Sequence, residues 1–209
     1  MADELIDVVD PATGAVIDTA LRSAVHAAGR WHQVFHCLVM RPSAGTIVLQ
    51  ERSPHKAAFG GKLDLSATGH LAAGEQPLEG IRELHEELGA DIAADSLVSI
   101  GTRLLADDQG EAHNRELVHL YFCADDRPLD AYRPAPDEVS RLVEIPASDL
   151  VALVGDPTLT VDTTAWDAEG GYQPHPIRRS ALVADAGQYW TVLAVMAERF
   201  LRGERPLAI

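Results

Sequence analysis

The chain has few of the residues on which small secreted proteins and membrane proteins depend. Its 209 residues include only two cysteines, Cys37 and Cys123, and both lie in apolar stretches. Two such cysteines are typical of buried free thiols and not of a disulfide framework. The chain lacks any apolar run near the roughly 20 residues that a spanning helix needs, and its acidic N-terminus lacks a signal-peptide core. These absences predict a cytoplasmic protein.

Positive charge is also scarce in this sequence. Lysine and arginine total 17 against 32 aspartates and glutamates, which gives a formal net charge of −15. Nucleic acids and anionic membranes are bound by basic surfaces, so we expect neither as a partner. Apolar residues make up 46% of the chain, enough for a sizeable buried core. A small phosphorylated substrate remains compatible with this charge, because metal ions can screen an anionic site.

The most informative stretch covers residues 69 to 90, GHLAAGEQPLEGIRELHEELGA. It begins with a loop bounded by Gly69 and Gly74, and glycines allow the backbone to pass close to a ligand. Pro77 is a favourable first residue of a helix, and a glycine such as Gly89 commonly ends one. The pattern therefore predicts a glycine loop followed by a helix over residues 77–88.

The predicted helix has two chemically different faces. Its apolar residues recur at steps of three and four and should form one stripe: Leu78, Ile81, Leu84 and Leu88. Its carboxylates recur at the same spacing on another side: Glu79, Glu83, Glu86 and Glu87. Like charges at this spacing repel one another, which a solvated acidic face tolerates at some cost. Carboxylate oxygens are also the ligands that Mg²⁺ and Mn²⁺ prefer, and a bound cation would remove the repulsion.

Residues 82–90, RELHEELGA, resemble the second half of the Nudix hydrolase box. Gly69 and Glu75 match the glycine and glutamate that precede it. Six residues separate Glu75 from Arg82, one fewer than in the family pattern. We therefore expect the helix to start late, with Gln76 as a poor N-cap. The resemblance implies that Glu75 pairs with Arg82 and braces the loop.

This resemblance implies an α/β fold, a Nudix-type α/β/α sandwich with a mixed β-sheet. We expect an N-terminal β-hairpin extension over residues 1–30, the Nudix domain over 31–153, and a loop with a C-terminal helix over 154–209. That helix would pack on the domain or on a partner, which makes a homodimer possible. The implied activity is Mg²⁺-dependent hydrolysis of a diphosphate (pyrophosphate) bond, with Mn²⁺ as an alternative ion. The substrate would be a nucleoside diphosphate derivative, an isoprenyl diphosphate or another small molecule.

The resemblance also implies roles for individual residues. The metal ligands would be Glu83, Glu86, Glu87, the backbone carbonyl of Thr68, and Glu116. The catalytic groups would be Glu87, Glu86, Arg82 and Glu116. Gly69 and Gly74 would let the loop approach the diphosphate. From their place in the polar loop before the glycine loop, Arg52 and Lys56 either contact phosphate oxygens or belong to a solvated loop. The general base stays open at this stage: Glu116 is the best distal candidate, and Glu111, Asp137 and Glu138 are weaker ones.

Part of the chain is similar to the branch that contains isopentenyl-diphosphate isomerase. The similarity rests on His26, His32, the Gly69–His70 pair and Glu116. In the isomerases histidines bind a metal beside a cysteine that transfers a proton, and Thr68 occupies the position of that cysteine. A hydroxyl is a poor replacement for a thiol in proton transfer. The three histidines are either metal ligands or structural, and an isomerase or a non-catalytic binding module remains the alternative function.

The remaining patterns predict the following elements. We expect a hairpin of Leu5–Val8 with Val16–Ala20, and a second one of His32–Met40 with Thr46–Gln50. Further strands are expected at residues 97–105, 116–123 and 139–145, with a polar connection over 106–115 and a short helix over 147–154. Residues 155–179 read as an irregular functional loop or a lid, and residues 180–202 as an amphipathic helix.

Overall fold

A computed structural model describes residues 3–56, 58–109, 112–184 and 188–209. In this part of the chain the strands are β1 (Leu5–Val9), β2 (Val16–Leu21), β3 (His32–Arg41), β4 (Thr46–Arg52), β5 (Leu63–Asp64), β6 (Ala67–His70), β7 (Leu97–Gln109), β8 (Ala112–Ala124), β9 (Val139–Pro146), β10 (Thr160–Val161), β11 (Thr164–Asp167), β12 (Gly171–Pro174) and β13 (Ile177–Arg178). The α-helices are α1 (Arg22–Ala27), α2 (Arg82–Leu88), α3 (Ala147–Gly155) and α4 (Tyr189–Leu201). Among the described residues, no helix is long and apolar enough to cross a membrane.

Strand β3 is the centre of a mixed sheet of eleven strands. On one side it runs parallel to β8, from the pair His32–Glu116 to the pair Met40–Ala124. On the other side it pairs antiparallel with β4, β6 and β1. The predicted hairpins β1–β2 and β3–β4 are both confirmed by their antiparallel register.

The two faces of β3 pack against different helices. Phe35 and Cys37 lie in one buried cluster with Leu84 and Leu88 of α2. The alternate β3 residues lie in a second cluster with residues of α3 and α4, such as Trp190. Successive side chains of a strand point to opposite faces, so this division places the sheet between two helical layers. The predicted α/β/α sandwich is confirmed, and burial on both faces explains why β3 alternates only weakly in sequence.

The β7–β8 hairpin is longer than the sequence predicts. Residues 106–115 were expected to form a polar connection, but most of them continue the two strands, with pairs such as Ala106–Arg115. The distal half of the hairpin extends beyond the strand pairs that β3 makes with β8. This end of the hairpin is held by pairing between its two strands and has no alternating apolar face. The sequence therefore lacks the alternation by which a strand is predicted. The base candidate Glu111 lies outside the described residues.

Residues 155–179 do not form the irregular loop or lid that the sequence predicts. Strand β11 pairs with β9 and with β12, and so extends the central sheet. Trp166 of β11 packs in the same cluster as Leu84 and Leu88 of the box helix. Strands of two to four residues joined by tight turns are too short to show a period of two, and the sequence pattern therefore fails here.

The C-terminal helix is shorter than predicted and packs on its own chain. It covers Tyr189–Leu201, whereas residues 179–181 form a 3₁₀ turn. Leu182 is bridged to Leu63 of β5 in an extended conformation, which ends any helical continuation on that side. Leu193 and Ala197 are fully buried in the core cluster of α3 and β3. Packing of the helix on the domain is one of the two arrangements expected from the sequence.

The box helix begins with a tighter turn than predicted. Residues Pro77–Ile81 form a 3₁₀ helix, α2 follows, and Gly89 ends it with a φ of 61°. A 3₁₀ helix rises about 2.0 Å per residue against 1.5 Å in an α-helix, so fewer residues span the same distance. The first turn is capped, because Gln76 N donates a 2.6 Å hydrogen bond to Glu79 Oε2. The Glu79 side chain therefore supplies this cap, and Gln76 contributes its backbone N–H. The tighter winding also turns Leu78 away from the apolar stripe, and it is 42% exposed.

Gly80 allows this 3₁₀ turn to lie directly on β3. A Cβ atom at position 80 would lie 2.5 Å from Cβ of Phe35, far inside normal contact. The backbone of the turn therefore approaches the sheet more closely than any side chain would permit.

We predict that Gly80→Ala lowers the free energy of unfolding by about 1–3 kcal/mol, the usual cost of overpacking. The matched control is Gly155→Ala at the end of α3, where a Cβ would meet nothing within 4 Å. Urea unfolding of both variants measures the difference. Equal stability of the two variants would show that the turn can move away from Phe35 at no cost.

Candidate active site

A cavity of about 1020 Å³ lies between the box helix, the start of β8 and the C-terminal segment. Its wall includes all of the sequence-predicted site residues except Gly74: Arg52, Lys56, Thr68, Gly69, Arg82, Glu83, Glu86, Glu87 and Glu116. Residues as far apart in sequence as Arg52 and Glu116 thus reach one space.

Glu83 and Glu87 are the two buried carboxylates of the box helix, 8% and 4% exposed. Glu87 Oε2 accepts hydrogen bonds of 2.9 Å from Thr68 N and from Gln50 Nε2. Glu83 lies against the backbone of Gly69, where a Cβ would come within 1.9 Å of Glu83 Oε1. Position 69 must therefore be a glycine, because any side chain there would overlap the carboxylate of Glu83. Neither carboxylate belongs to a solvated acidic face.

Burial raises the pKa of both carboxyl groups. The pKa of Glu83 rises to about 7 and that of Glu87 to about 8, in each case mainly because the charged form loses its hydration. Removing ions from water is expensive unless they are paired. Two such groups one helical turn apart create a strong demand for positive charge in the cavity.

Thr68 presents its backbone to the same place. Strand β6 pairs with β3 along one edge, and Thr68 N points away from that edge to Glu87. In an extended strand the N–H and C=O groups of one residue point to the same side. The Thr68 carbonyl therefore faces the cavity side of β6, as a ligand role requires.

Arg82 joins the glycine loop to the box carboxylates. Its Nε lies 2.7 Å from Glu75 Oε1, and its Nη2 donates to the His70 carbonyl at 2.8 Å. Its Nη1 lies 2.6 Å from Glu83 Oε1 and 3.1 Å from Glu86 Oε2. The Glu75–Arg82 pairing implied by the family resemblance is present despite the shortened spacing. The hydrogen bonds that Arg82 donates to Glu75, together with the negative charge of the neighbouring glutamates, raise the Arg82 pKa, so the guanidinium is permanently charged.

The N-terminal hairpin holds the glycine loop from outside. Gly74 N donates to Asp7 Oδ2 at 2.7 Å, and Ala73 N donates to the Leu5 carbonyl at 2.9 Å. Gly74 has a φ of 81°, a conformation that glycine adopts without strain. Sequence analysis identified Gly74 as a possible point of approach to a diphosphate, but it did not find the role of Asp7.

The two predicted phosphate-binding cations are paired with carboxylates. Arg52 Nη1 lies 3.0 Å from Asp64 Oδ2, and Lys56 forms a salt bridge with Glu138. Both cations line the cavity. Glu138 is one of the weaker candidates for the general base, and its carboxylate is engaged in the salt bridge with Lys56. The other weak candidate, Asp137, is exposed outside the lining.

Glu116 lies across the cavity from the box helix, at the start of the β3–β8 ladder beside His32. Burial, with the nearby charges of Asp64 and Asp107, raises the Glu116 pKa to about 7. A carboxyl group with a pKa near neutrality is suited to accept and release protons. The structure therefore brings Glu116 to the same cavity as the carboxylates of α2.

Three histidines form a cluster at the same end of the cavity as Glu116. The nearest ring nitrogens of His26, His32 and His70 lie within 4.8 Å of one another. The His26 and His70 Nε2 atoms are 2.9 Å apart. His32 Nδ1–H donates to the carbonyl of Arg30, which leaves its Nε2 as a buried lone pair with no hydrogen-bond partner in the part of the chain that the structure describes. Three neutral imidazoles, one of them fixed by a backbone carbonyl, are a donor set that suits a borderline metal ion.

Two further residues of the site were not found by sequence analysis. Gln50 is fully buried, its Oε1 has no hydrogen-bond partner among the described residues, and its amide N–H group holds Glu87. Tyr189, at the start of α4, meets His36 of β3 inside the cavity. Both residues read as ordinary core or helix positions in the sequence, since only the packing of distant elements brings them to the site.

The comparisons with known proteins agree with this geometry. The model of the NUDIX domain matches residues 30–161. An uncharacterised Nudix hydrolase of Clostridium acetobutylicum is 33% identical over 152 residues, which cover 72% of this chain and 73% of that protein. An isopentenyl-diphosphate Delta-isomerase of Pectobacterium atrosepticum is 31% identical over 137 residues, 65% of this chain and 71% of that protein.

A solved structure shows the same fold over nearly the whole chain. The crystal structure of a Deinococcus radiodurans protein aligns with a TM-score of 0.58 at 24% identity, covering 94% of this chain and 98% of that one. The matched domain contains the box helix with its buried glutamates and the central strand β3, against which Leu84 and Leu88 of that helix pack. This chain is a member of the Nudix hydrolase family.

Proposed function

We propose that the protein hydrolyses a diphosphate bond in a small molecule with the help of Mg²⁺ or Mn²⁺. The observation that carries the proposal is the pair of buried carboxylates, Glu83 and Glu87, held at a cavity by hydrogen bonds and lacking a full complement of positive charge. The substrate is a nucleoside diphosphate derivative or an isoprenyl diphosphate.

The donor set fits a hard divalent cation. Carboxylate and carbonyl oxygens suit Mg²⁺ and Mn²⁺, and the residues that would hold the ion are Glu83, Glu86, Glu87 and the carbonyl of Thr68. When bound, such an ion neutralises phosphate charge and lowers the pKa of a coordinated water. Glu116 would act as a further metal ligand only if the substrate brought a second ion to its side of the cavity.

The protein's own groups hold this arrangement in place. Arg82 fixes Glu83 and Glu86 through one guanidinium nitrogen, and Gln50 fixes Glu87. Arg52 and Lys56 are the cations that would contact phosphate oxygens. Each is already held at the cavity by a carboxylate, which limits the entropy lost when a substrate binds.

Proton transfer falls to carboxylates of the cavity. Glu87 can orient a water beside the reacting phosphorus, and Glu116 is the candidate general base at a distance. The raised pKa of Glu116, about 7, places it where it exchanges a proton at neutral pH.

The isomerase remains the second candidate, because the histidine cluster and Glu116 lie together. The presence of threonine at position 68, where the isomerases have a cysteine, argues against an isomerase. In this structure Thr68 serves the box through its backbone, and its hydroxyl is a poor acid or base for carbon chemistry.

We predict that Glu87→Gln lowers kcat/KM for the best diphosphate substrate by at least about 100-fold, because one ligand charge is lost. A panel of nucleotide sugars, dinucleoside polyphosphates, nucleoside diphosphates and isoprenyl diphosphates with Mg²⁺ identifies that substrate by phosphate release. The matched control is Glu79→Gln, which changes an exposed carboxylate of the preceding turn. Unchanged turnover in the Glu87 variant would remove the proposed metal role.

Removal of divalent cations should make stability depend on pH. Burial raises the pKa values of Glu83 and Glu116 to about 7 and of Glu87 to about 8, well above about 4.3 in an unfolded chain. The folded state then holds protons that the unfolded chain has released, so the free energy of unfolding falls as pH rises from about 5 to 8. Bound Mg²⁺ keeps its ligands ionised and reduces this loss. Melting temperatures in EDTA and in Mg²⁺ should therefore diverge as pH rises, and a constant gap would contradict the assignment.

The histidine cluster is tested separately with Zn²⁺ as the probe. Calorimetric titration of metal-free protein should detect a site that His26→Gln weakens at least about tenfold. His85→Gln, which changes an exposed histidine of the box helix, serves as the control.

An assay with labelled isopentenyl diphosphate separates the two candidate functions. Phosphate release supports the hydrolase, and double-bond migration without release would establish the isomerase.

A further inference from the structure

Gln50 interrupts an apolar face of β4. Its neighbours on this face of the sheet are Val48, two residues earlier on the same strand, and Leu142, its partner on β9. Both are fully buried in the cluster that contains Leu84 of the box helix, and Gln50 is itself fully buried. A leucine at position 50 would be of similar size and would extend this cluster. Packing alone therefore does not account for an amide at this place.

The side-chain amide of Gln50 is only half satisfied. Its Nε2 donates a 2.9 Å hydrogen bond to Glu87 Oε2, whereas its buried Oε1 has no hydrogen-bond partner among the described residues. A buried polar atom without a partner is costly, and such atoms are rare in folded proteins. The bond to Glu87 is thus the contact that the polar side chain makes possible, at the expense of an unsatisfied oxygen.

Glu87 receives its hydrogen bonds on one oxygen. Thr68 N and Gln50 Nε2 both donate to Oε2, each at 2.9 Å, from two different strands. Within the described part of the chain, Glu87 Oε1 accepts no hydrogen bond, and the residue lines the cavity. The two donors fix the direction of the carboxylate and occupy Oε2. Oε1 is consequently the oxygen that is left to bind a cation.

We propose that Gln50 is a positioning residue that limits Glu87 to one ligating oxygen and thereby favours a small octahedral cation, Mg²⁺ or Mn²⁺, over Ca²⁺. The preference follows from coordination chemistry. Ca²⁺ takes six to eight oxygens and accepts both oxygens of one carboxylate, whereas Mg²⁺ requires a near-octahedral set. The inference rests on the proposed function, in which Glu87 is a metal ligand. It assigns selection among cations to a residue of β4, outside the box.

Gln50→Leu separates this role from a structural one. The leucine removes the unpartnered Oε1 and extends the apolar cluster, so the melting temperature of the metal-free protein in EDTA should not fall. Calorimetric titration should show Mn²⁺ binding weakened at least about tenfold at the site that Glu87→Gln removes. Ca²⁺ binding should weaken less, because Oε2 then keeps only the Thr68 bond and can serve as a second ligand atom. Gln50→Met, which has the length of glutamine without its polar atoms, should behave in the same way.

The matched control is Gln173→Leu on β12. Gln173 Nε2 also donates a 2.9 Å hydrogen bond to a carboxylate, that of Asp167, and neither residue lines the cavity. This variant should bind both ions as wild-type protein does.

The ratio of Mn²⁺ to Ca²⁺ affinity decides the question, because a change in fold stability alone leaves that ratio unaltered. An unchanged ratio in both Gln50 variants would overturn the inference while the proposed function stands. A wild-type protein that binds no Mn²⁺ through Glu87 would overturn the proposed function and this inference together.

Discussion

Two like charges buried one helical turn apart are the constraint that the site is built to satisfy. Glu83 and Glu87 would repel each other and resist dehydration in any ordinary helix. Here a guanidinium, a side-chain amide and a backbone N–H surround them, and a glycine removes the side chain that would occupy their space. These neighbours offset the cost of burying the two carboxylates only in part, and loss of hydration raises the pKa of both groups. The remaining deficit of positive charge supports the proposed binding of divalent cations in the cavity.

The shortened box shows how local geometry can preserve a long-range contact. One residue fewer between Glu75 and Arg82 would rotate and displace a continuous α-helix relative to its loop. The 3₁₀ turn at Pro77–Ile81 takes up the difference by rising further per residue, and Gly80 lets that turn settle on β3. The salt bridge from Arg82 to Glu75 therefore survives. The sequence reveals the deletion, but only the packed structure reveals its compensation.

Features with a local signal could be predicted, and features made by distant packing could not. The β3–β4 hairpin, the end of the box helix at Gly89 and the choice of box glutamates all follow from patterns within a few residues. The contributions of Asp7, Gln50 and Tyr189 depend on where β1, β4 and α4 meet the central sheet. The prediction of an irregular loop over residues 164–174 failed for the same reason. The strands there are defined by pairing of β11 with β9 and β12, and not by their own periodicity.

The attachment of the glycine loop to β1 has a mechanical consequence. Hydrogen bonds to the Leu5 carbonyl and the Asp7 side chain connect β1 to the glycine loop. Glu75 follows this loop and forms a salt bridge with Arg82, which in turn contacts Glu83 and Glu86. Tension applied to β1, for example by a tethered neighbour, would therefore be transmitted through these short links to the turn that carries the box glutamates. The first strand, which lies between β3 and the edge strand β2, thereby couples the outer part of the sheet to those glutamates.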